Sequence, residues 1–407
     1  MQQKQITIQE AQRLLEHMIV TNKQLQENND TPVAISFMGP QGIGKTAIVQ
    51  QVAEKLGMGF TKLSLHELEE VGDLVGYPIK EYQIVNKETG KTTWISEAML
   101  DSVNADKWKK TSKPPHMAYA KPAWVPEKHE NGNILLLDDY ARSSQMLIQA
   151  TMELINTGRY VSWSLPKGTT IVLTANPDNG EFNVQTLDAA QKDRFVEFNM
   201  KYDIKAWARW AEAKGIDSRA INFALAYSHE LFEKNDNGVQ IATPRGYVTF
   251  CKCISGLKDW KKSLDMIILI SQGCFNDKDG AVGGIFGTFI ANGYDKLITP
   301  ADLFNQAWET VKPKLKKALY GDDPDNTLPN HAVASMMTTR IVNWIDVYFD
   351  TPGYVSAPIN DRLKEIFDSH LFPEDNTYHI IKTIVSTHAK QCSKLLQCPE
   401  IIEKITL

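Results

Sequence analysis

Residues Gly39-Pro40-Gln41-Gly42-Ile43-Gly44-Lys45-Thr46 fill the pattern G-x-x-x-x-G-K-[ST] at every specified position. The flanks are those such a loop needs. Val33-Ala34-Ile35-Ser36-Phe37-Met38 reads as a buried strand, and Ala47 to Leu56 carries apolar residues at helical spacing until Gly57 stops it. Strand, glycine-rich loop and helix in this order predict a cradle of backbone N–H groups at a helix N-terminus, which attracts phosphate. All eight residues would line it, with Lys45 reaching the β and γ phosphates and Thr46 ligating Mg²⁺. The expected ligands are therefore ATP, or another nucleoside triphosphate, and Mg²⁺.

The rest of the chain supports an α/β domain followed by a helical one. Ile134-Leu135-Leu136-Leu137 reads as a strand buried on both faces that ends in Asp138-Asp139, and Thr170 to Asn176 reads as another. Four aliphatic residues leading into two acids call for a cation to offset the charge, although paired acids can also form a solvated turn. Here they predict that Asp138 holds Mg²⁺ through its water shell and that Asp139 polarises an attacking water. Phe60 to Leu65 and Phe195 to Met200 are further strand candidates, and Tyr160 to Leu165 alternates like half of a hairpin. Thr7-Ile8-Gln9-Glu10 is a capping box that opens an amphipathic helix. Residues 79–125 read as an insertion with a hairpin from Glu81 to Trp94. Strands alternating with helices give a parallel sheet with ligands at the strands' carboxyl ends.

From Asp203 onward the pattern is helical, with candidates at Ile204–Lys214, Ser218–Glu233, Arg245–Ser255 and Leu264–Cys274. The remainder, from Thr299, is also helical and is broken at Gly321-Asp322-Asp323-Pro324 and at Asp350-Thr351-Pro352-Gly353. Three further polar residues are placed for chemistry. Asn176 ends a strand and can orient a water, though Asn-Pro is also a common turn. Arg194 follows the short helix Leu187 to Asp193 and can protrude toward a neighbour, though such arginines also form surface ion pairs. Arg245 stands in the first turn of a helix opened by Pro244, where a solvated charge is equally ordinary.

Composition bounds the class. The 407 residues are 43% hydrophobic and 23% charged with net charge −5, so a dominant nucleic-acid surface is not expected. Five cysteines, an odd number, suggest a reducing compartment. With neither a signal peptide nor a membrane-spanning stretch evident, the expectation is a soluble cytoplasmic protein with no membrane contact.

In this order, the phosphate loop, Leu-Leu-Leu-Asp-Asp-Tyr-Ala-Arg at 135–142, Thr-Ala-Asn-Pro at 174–177 and Leu-Asp-Ala-Ala-Gln-Lys-Asp-Arg-Phe at 187–195 resemble an AAA+ ATPase. With Gly72-Asp73-Leu74-Val75-Gly76, they are similar to the MoxR and dynein-related branch, relatives of the magnesium chelatase motor subunit. The resemblance covers about residues 30–275. It implies an AAA+ α/β nucleotide-binding domain at 31–202 and an α-helical lid at 203–298; the residue pattern alone places an N-terminal helix at 1–30 before them and a further helical region at 299–407 after them. It also implies that Asn176 is sensor 1, Arg194 an arginine finger acting in trans and Arg245 sensor 2. A homo-oligomeric ring, expected to be a hexamer, is implied as well, hydrolysing ATP and remodelling a protein partner in a chaperone-like way, with a von Willebrand A-domain protein as the family's usual associate. The family usually has Asp-Glu where Asp138-Asp139 stand, so slower hydrolysis is expected. Two other classes stay open: a nucleic-acid motor, for which Lys107-Trp108-Lys109-Lys110 is the candidate contact, and a nucleotide-gated scaffold that hydrolyses weakly.

Overall fold

Strands with continuous apolar runs need cover on both faces, and that requirement organises the first half of the chain. A computed structural model describes residues 5–177, 185, 187–234, 239–277, 280–322 and 327–406, and the chain divides into two compact units, Met1–Tyr202 and Asp203–Leu407. In the first unit, β1 (Ala34–Met38), β2 (Gly59–Ser64), β7 (Asn133–Asp138), β8 (Thr169–Ala175) and β9 (Phe195–Asn199) form a parallel sheet in the order β2-β7-β8-β1-β9. Alternation along β7 divides its side chains between two cores. Ile134 and Leu136 pack with Leu15 of α1 (Ile8–Glu27) and with Val49 and Val52 of α2 (Lys45–Lys55). Leu135 and Leu137 pack on the other face with Leu74 of α3 (Val71–Val75) and with Leu147, Ile148 and Leu154 of α4 (Gln145–Thr157). The capping box at Thr7 and Glu10 is formed, fixing the start of α1.

The insertion is a second, antiparallel sheet. β3 (Pro78–Asn86) pairs with β4 (Thr92–Ser96), with β5 (Trp108–Lys110) and with β6 (His116–Tyr119), so the expected hairpin is one edge of a four-stranded unit. Tyr160 to Leu165 is not a strand of either sheet. It is a tight loop closed by an isolated bridge between Arg159 and Ser164, and its alternation arises because Trp163 is buried and donates Nε1–H to the carbonyl of Val75 at 2.8 Å.

The second unit is helical among its described residues. α6 (Ile204–Ala213) and α7 (Ser218–Ala226) are followed by α8 (Ser228–Phe232), so the helix expected over Ser218–Glu233 is divided at Tyr227, whose φ of −123° is not helical. Next come α9 (Pro244–Ile254), α10 (Leu264–Cys274), α11 (Ala281–Ala291), α12 (Pro300–Asn305), α13 (Trp308–Tyr320), α14 (His331–Asp350), α15 (Ser356–Ser369), α16 (Glu374–Thr387) and α17 (Pro399–Thr406). Asp323 and Pro324, part of the expected break after α13, lie outside the described residues. Arg340 of α14 is buried and ties residues on either side of position 299 into one interior. It donates to Glu212 at 2.7 Å, to the Ser218 hydroxyl at 2.6 Å and to Asn222 Oδ1 at 2.8 Å.

Candidate nucleotide site

The carboxyl end of β1 leads straight into the loop at Gly39, whose N–H donates to Ala175 O of β8 at 3.2 Å. A Cβ on Gly39 would sit 2.7 Å from the Met200 carbonyl and 2.9 Å from Ile43 Cδ1, so only glycine lets the loop leave the sheet this closely. Gly44 caps α2 at φ +99°, with no side-chain cap on the helix. A first turn of this kind is suited to receive an anionic oxygen from outside the chain.

Lys45, 7% exposed, turns its ammonium back over the loop. Its Nζ donates to Gly39 O at 2.7 Å, to Pro40 O at 2.9 Å and to Asn176 Oδ1 at 2.9 Å. Asn176, itself buried, follows β8, so the parallel pairing of β1 with β8 brings residues 131 positions apart into one hydrogen bond.

Beside them lies the end of β7. Asp138 Oδ1 accepts from Thr46 Oγ1 at 2.7 Å and from Thr174 Oγ1 at 2.6 Å, while Lys62 Nζ lies 2.9 Å from Oδ2. Burial pushes this carboxyl's pKa up, but the hydrogen bonds from Thr174, Lys62 and Thr46 outweigh it and hold the pKa below the usual carboxylate value. Thr174 also accepts from the Asp139 amide at 3.1 Å, so one hydroxyl links both acids. Asp139 adopts a left-handed conformation, φ 51° and ψ 38°, and its Oδ2 lies 3.7 Å from Arg142 Nη1. A hydroxyl and a carboxylate oxygen side by side next to a phosphate cradle are the hard donors that suit Mg²⁺, so Thr46 and Asp138 fit that ion.

Arg194 is exposed, just beyond α5 (Ala189–Lys192), whose Asp188–Gln191 capping box is formed. Arg245 is exposed in the first turn of α9, in the second unit, where Thr243 caps the helix by accepting from the Gly246 amide at 3.0 Å. Within the first unit, then, the structure gathers Lys45, Thr46, Asp138 and Asn176 by hydrogen bonds, with Asp139 adjacent.

Two members of this cluster, Thr174 and Lys62, escape sequence reasoning. Their signal was the parallel register: β2 sets Lys62 opposite Leu136 and Ser64 opposite Asp138, and β8 sets Leu173, just before Thr174, opposite Leu137. Thr174 is fully buried, and replacing it with Val removes a donor to a carboxylate at nearly constant volume. Thr174→Val should cost about 1–3 kcal/mol at pH 7. Because Asp138's folded pKa lies below its unfolded value, this contribution is complete above the unfolded pKa, and the difference should shrink as pH falls through the lower folded one. Urea unfolding of both proteins from neutral to acidic pH measures it; superimposable midpoints at pH 7 would refute this account.

Residues 35–195 match the family model for the AAA domain of the dynein-related subfamily. A 66-residue stretch is 35% identical to the peroxisomal Lon protease homolog 2 of Caenorhabditis elegans, covering 16% of this chain and 8% of that protein. Identity is also 35% over 66 residues to the Lon protease of Mycoplasma mycoides, with the same shares of each chain. The chain thus spans under a tenth of the length of these relatives. Among solved structures, a proline-to-glycine mutant of Thermotoga maritima RuvB matches at 15% identity and TM-score 0.35, covering 80% of this chain and 94% of that one. The Thermotoga maritima RuvB Holliday junction branch migration motor matches at 15% identity and TM-score 0.33, covering 79% and 93%. No helix among the described residues is long and apolar enough to cross a membrane. The parallel five-stranded sheet, the phosphate loop at the end of β1 and the matched family model together identify residues 35–195 as an AAA domain on the AAA+ phosphate-loop fold.

Proposed function

We propose that the chain is an ATP-hydrolysing ring subunit that remodels a protein partner, of the MoxR kind and related to the magnesium chelatase motor. The observation that carries the reading is the convergence of Lys45, Thr46, Asp138 and Asn176 at one end of the parallel sheet, around a loop only glycines could form. In this reading residues 39–46 cradle the triphosphate, and Lys45 exchanges its carbonyl partners for phosphate oxygens. Thr46 and Asp138 hold Mg²⁺, which when bound neutralises charge on the phosphates. Asp139 accepts a proton from the attacking water, and Asn176 orients that water. Arg194 projects outward to stabilise charge on the nucleotide of a neighbouring subunit, and Arg245 contacts the subunit's own nucleotide. A chaperone-like action with a von Willebrand A-domain partner is what the family resemblance implies, and a cytoplasmic location is what the odd cysteine count suggests. Recovery of that partner by co-purification from the native host tests it.

Action in trans has a direct test. Arg194→Ala and Lys45→Ala subunits should each be inactive alone, and mixing them should restore part of the ATPase rate, because a mixed ring can pair an intact loop with an intact arginine. Mixed rings verified by mass spectrometry but without recovered turnover would refute it. A second reading, a nucleotide-gated scaffold with weak hydrolysis, is favoured by the short Asp139 side chain lying 3.7 Å from Arg142. Single-turnover rates at saturating ATP separate the two, with and without DNA to exclude a nucleic-acid motor.

A further inference from the structure

Lys62 has no part in the phosphate-loop pattern, yet it reaches a carboxylate already held by two threonine hydroxyls. It sits on the edge strand β2 opposite Leu136 and extends along the strand direction until Nζ is 2.9 Å from Asp138 Oδ2. Thr46 and Thr174 already occupy Oδ1, so the carboxylate has hydrogen-bonding partners on both oxygens. The side chain of Asp138 is 13% exposed and its formal charge is matched by a tethered monovalent cation, whereas the side chain of Lys62 is 44% exposed. A lysine stem that leaves its ammonium at the water boundary can swing aside without breaking the core, whereas the two threonine hydroxyls are fixed by helix α2 and strand β8.

We propose that Lys62 is a built-in counter-cation for the metal-binding carboxylate and sets the divalent-ion requirement of the site. This rests on the nucleotide-site reading above. A divalent ion held by Thr46 and Asp138 must either share the carboxylate with the ammonium or displace it, and both options weaken the ion's hold through like-charge repulsion. Without the ion, the same ammonium keeps Asp138 compensated, so a buried charge is never left unpaired. Lys62 is thus a positioning residue that acts on the ion through Asp138 and does not touch the triphosphate.

Binding of Mn²⁺, followed by electron paramagnetic resonance in the presence of a slowly hydrolysed ATP analogue, tests this without relying on turnover. Lys62→Met should lower the half-saturating Mn²⁺ concentration roughly three- to tenfold, the screened effect of removing one nearby positive charge. Lys62→Gln keeps a donor for Oδ2 without the charge and should follow Lys62→Met, while Lys62→Arg should stay near the wild type. Nucleotide affinity in EDTA should be unchanged in every variant. An unchanged Mn²⁺ midpoint in a folded Lys62→Met or Lys62→Gln protein would reduce the contact to a surface ion pair and overturn the proposal. A loss of affinity in EDTA would overturn it differently, by making Lys62 a phosphate ligand. Wild-type protein that binds no nucleotide would instead remove the nucleotide-site reading itself.

Discussion

Replacing Lys45 with Met should weaken ATP binding by roughly a hundredfold or more while leaving a folded protein. Lys45 is buried and its ammonium has three oxygen partners within 2.9 Å, two of them loop carbonyls. In the proposed site that charge meets two phosphates, and charge-assisted bonds are worth about 1.5–3 kcal/mol each, so affinity should fall by roughly a hundredfold or more. Methionine retains most of the methylene packing, and Lys45→Ala gives the same loss with a cavity added. The cleanest readout is thermal: at a ligand concentration of a hundred times Kd, ATP with Mg²⁺ should stabilise the wild type by about 2.7 kcal/mol. At the same nucleotide concentration the variant should gain no more than about 0.4 kcal/mol. If titration calorimetry returned wild-type affinity for Lys45→Met, the nucleotide-site reading would be wrong, whatever the fate of the loop.

The parts of the site legible in the sequence are those written in consecutive residues. Gly39 to Thr46 carries its own geometry, because the left-handed Gly42 and Gly44 and the helix after them are local. Asp138 was legible because a strand buried on both faces can end in a carboxylate only where something compensates the charge. Here that compensation includes Lys62, which lies 76 positions away in sequence and becomes a neighbour only through the pairing of β2 with β7. Thr174 was hidden for the same reason: in the sequence it is a β-branched residue in a strand, and only the adjacency of β7 and β8 shows that its hydroxyl serves both acids. The insertion shows the limit from another side. Its β3–β4 hairpin has a local turn at 87–91, whereas β5 and β6 return to β3 across longer loops that leave no short-range signature. The division of α7 from α8 at Tyr227 carries no glycine or proline, so nothing in the residues themselves announces it.

Substitutions at Asp139 should separate hydrolysis from stability, because the backbone there is left-handed. At φ 51° and ψ 38° a non-glycine residue is strained least when its side chain is Asn or Asp, so the backbone itself favours a short acid here. Asp139→Asn preserves size and backbone preference and removes only the charge. ATP affinity and melting temperature should stay near the wild type, since Lys45, Thr46 and Asp138 are untouched, while the hydrolysis rate falls by about a hundredfold or more. Asp139→Gly should be equally stable and equally slow, because glycine accepts the conformation but supplies no carboxylate. Asp139→Ala should be slow and also less stable by about 1 kcal/mol, the cost of a left-handed alanine. Asp139→Glu sets two effects against each other. Its carboxylate reaches about 1 Å further toward the water, a displacement on a scale that can change rates by roughly a hundredfold, while the longer side chain fits the left-handed backbone less well. Turnover should therefore match or exceed the wild type at a lower melting temperature. Pre-steady-state phosphate release at saturating ATP, paired with thermal melts of all four variants, checks the whole pattern. Full activity in Asp139→Asn would show that this carboxylate shapes the turn after β7 and that the base lies elsewhere.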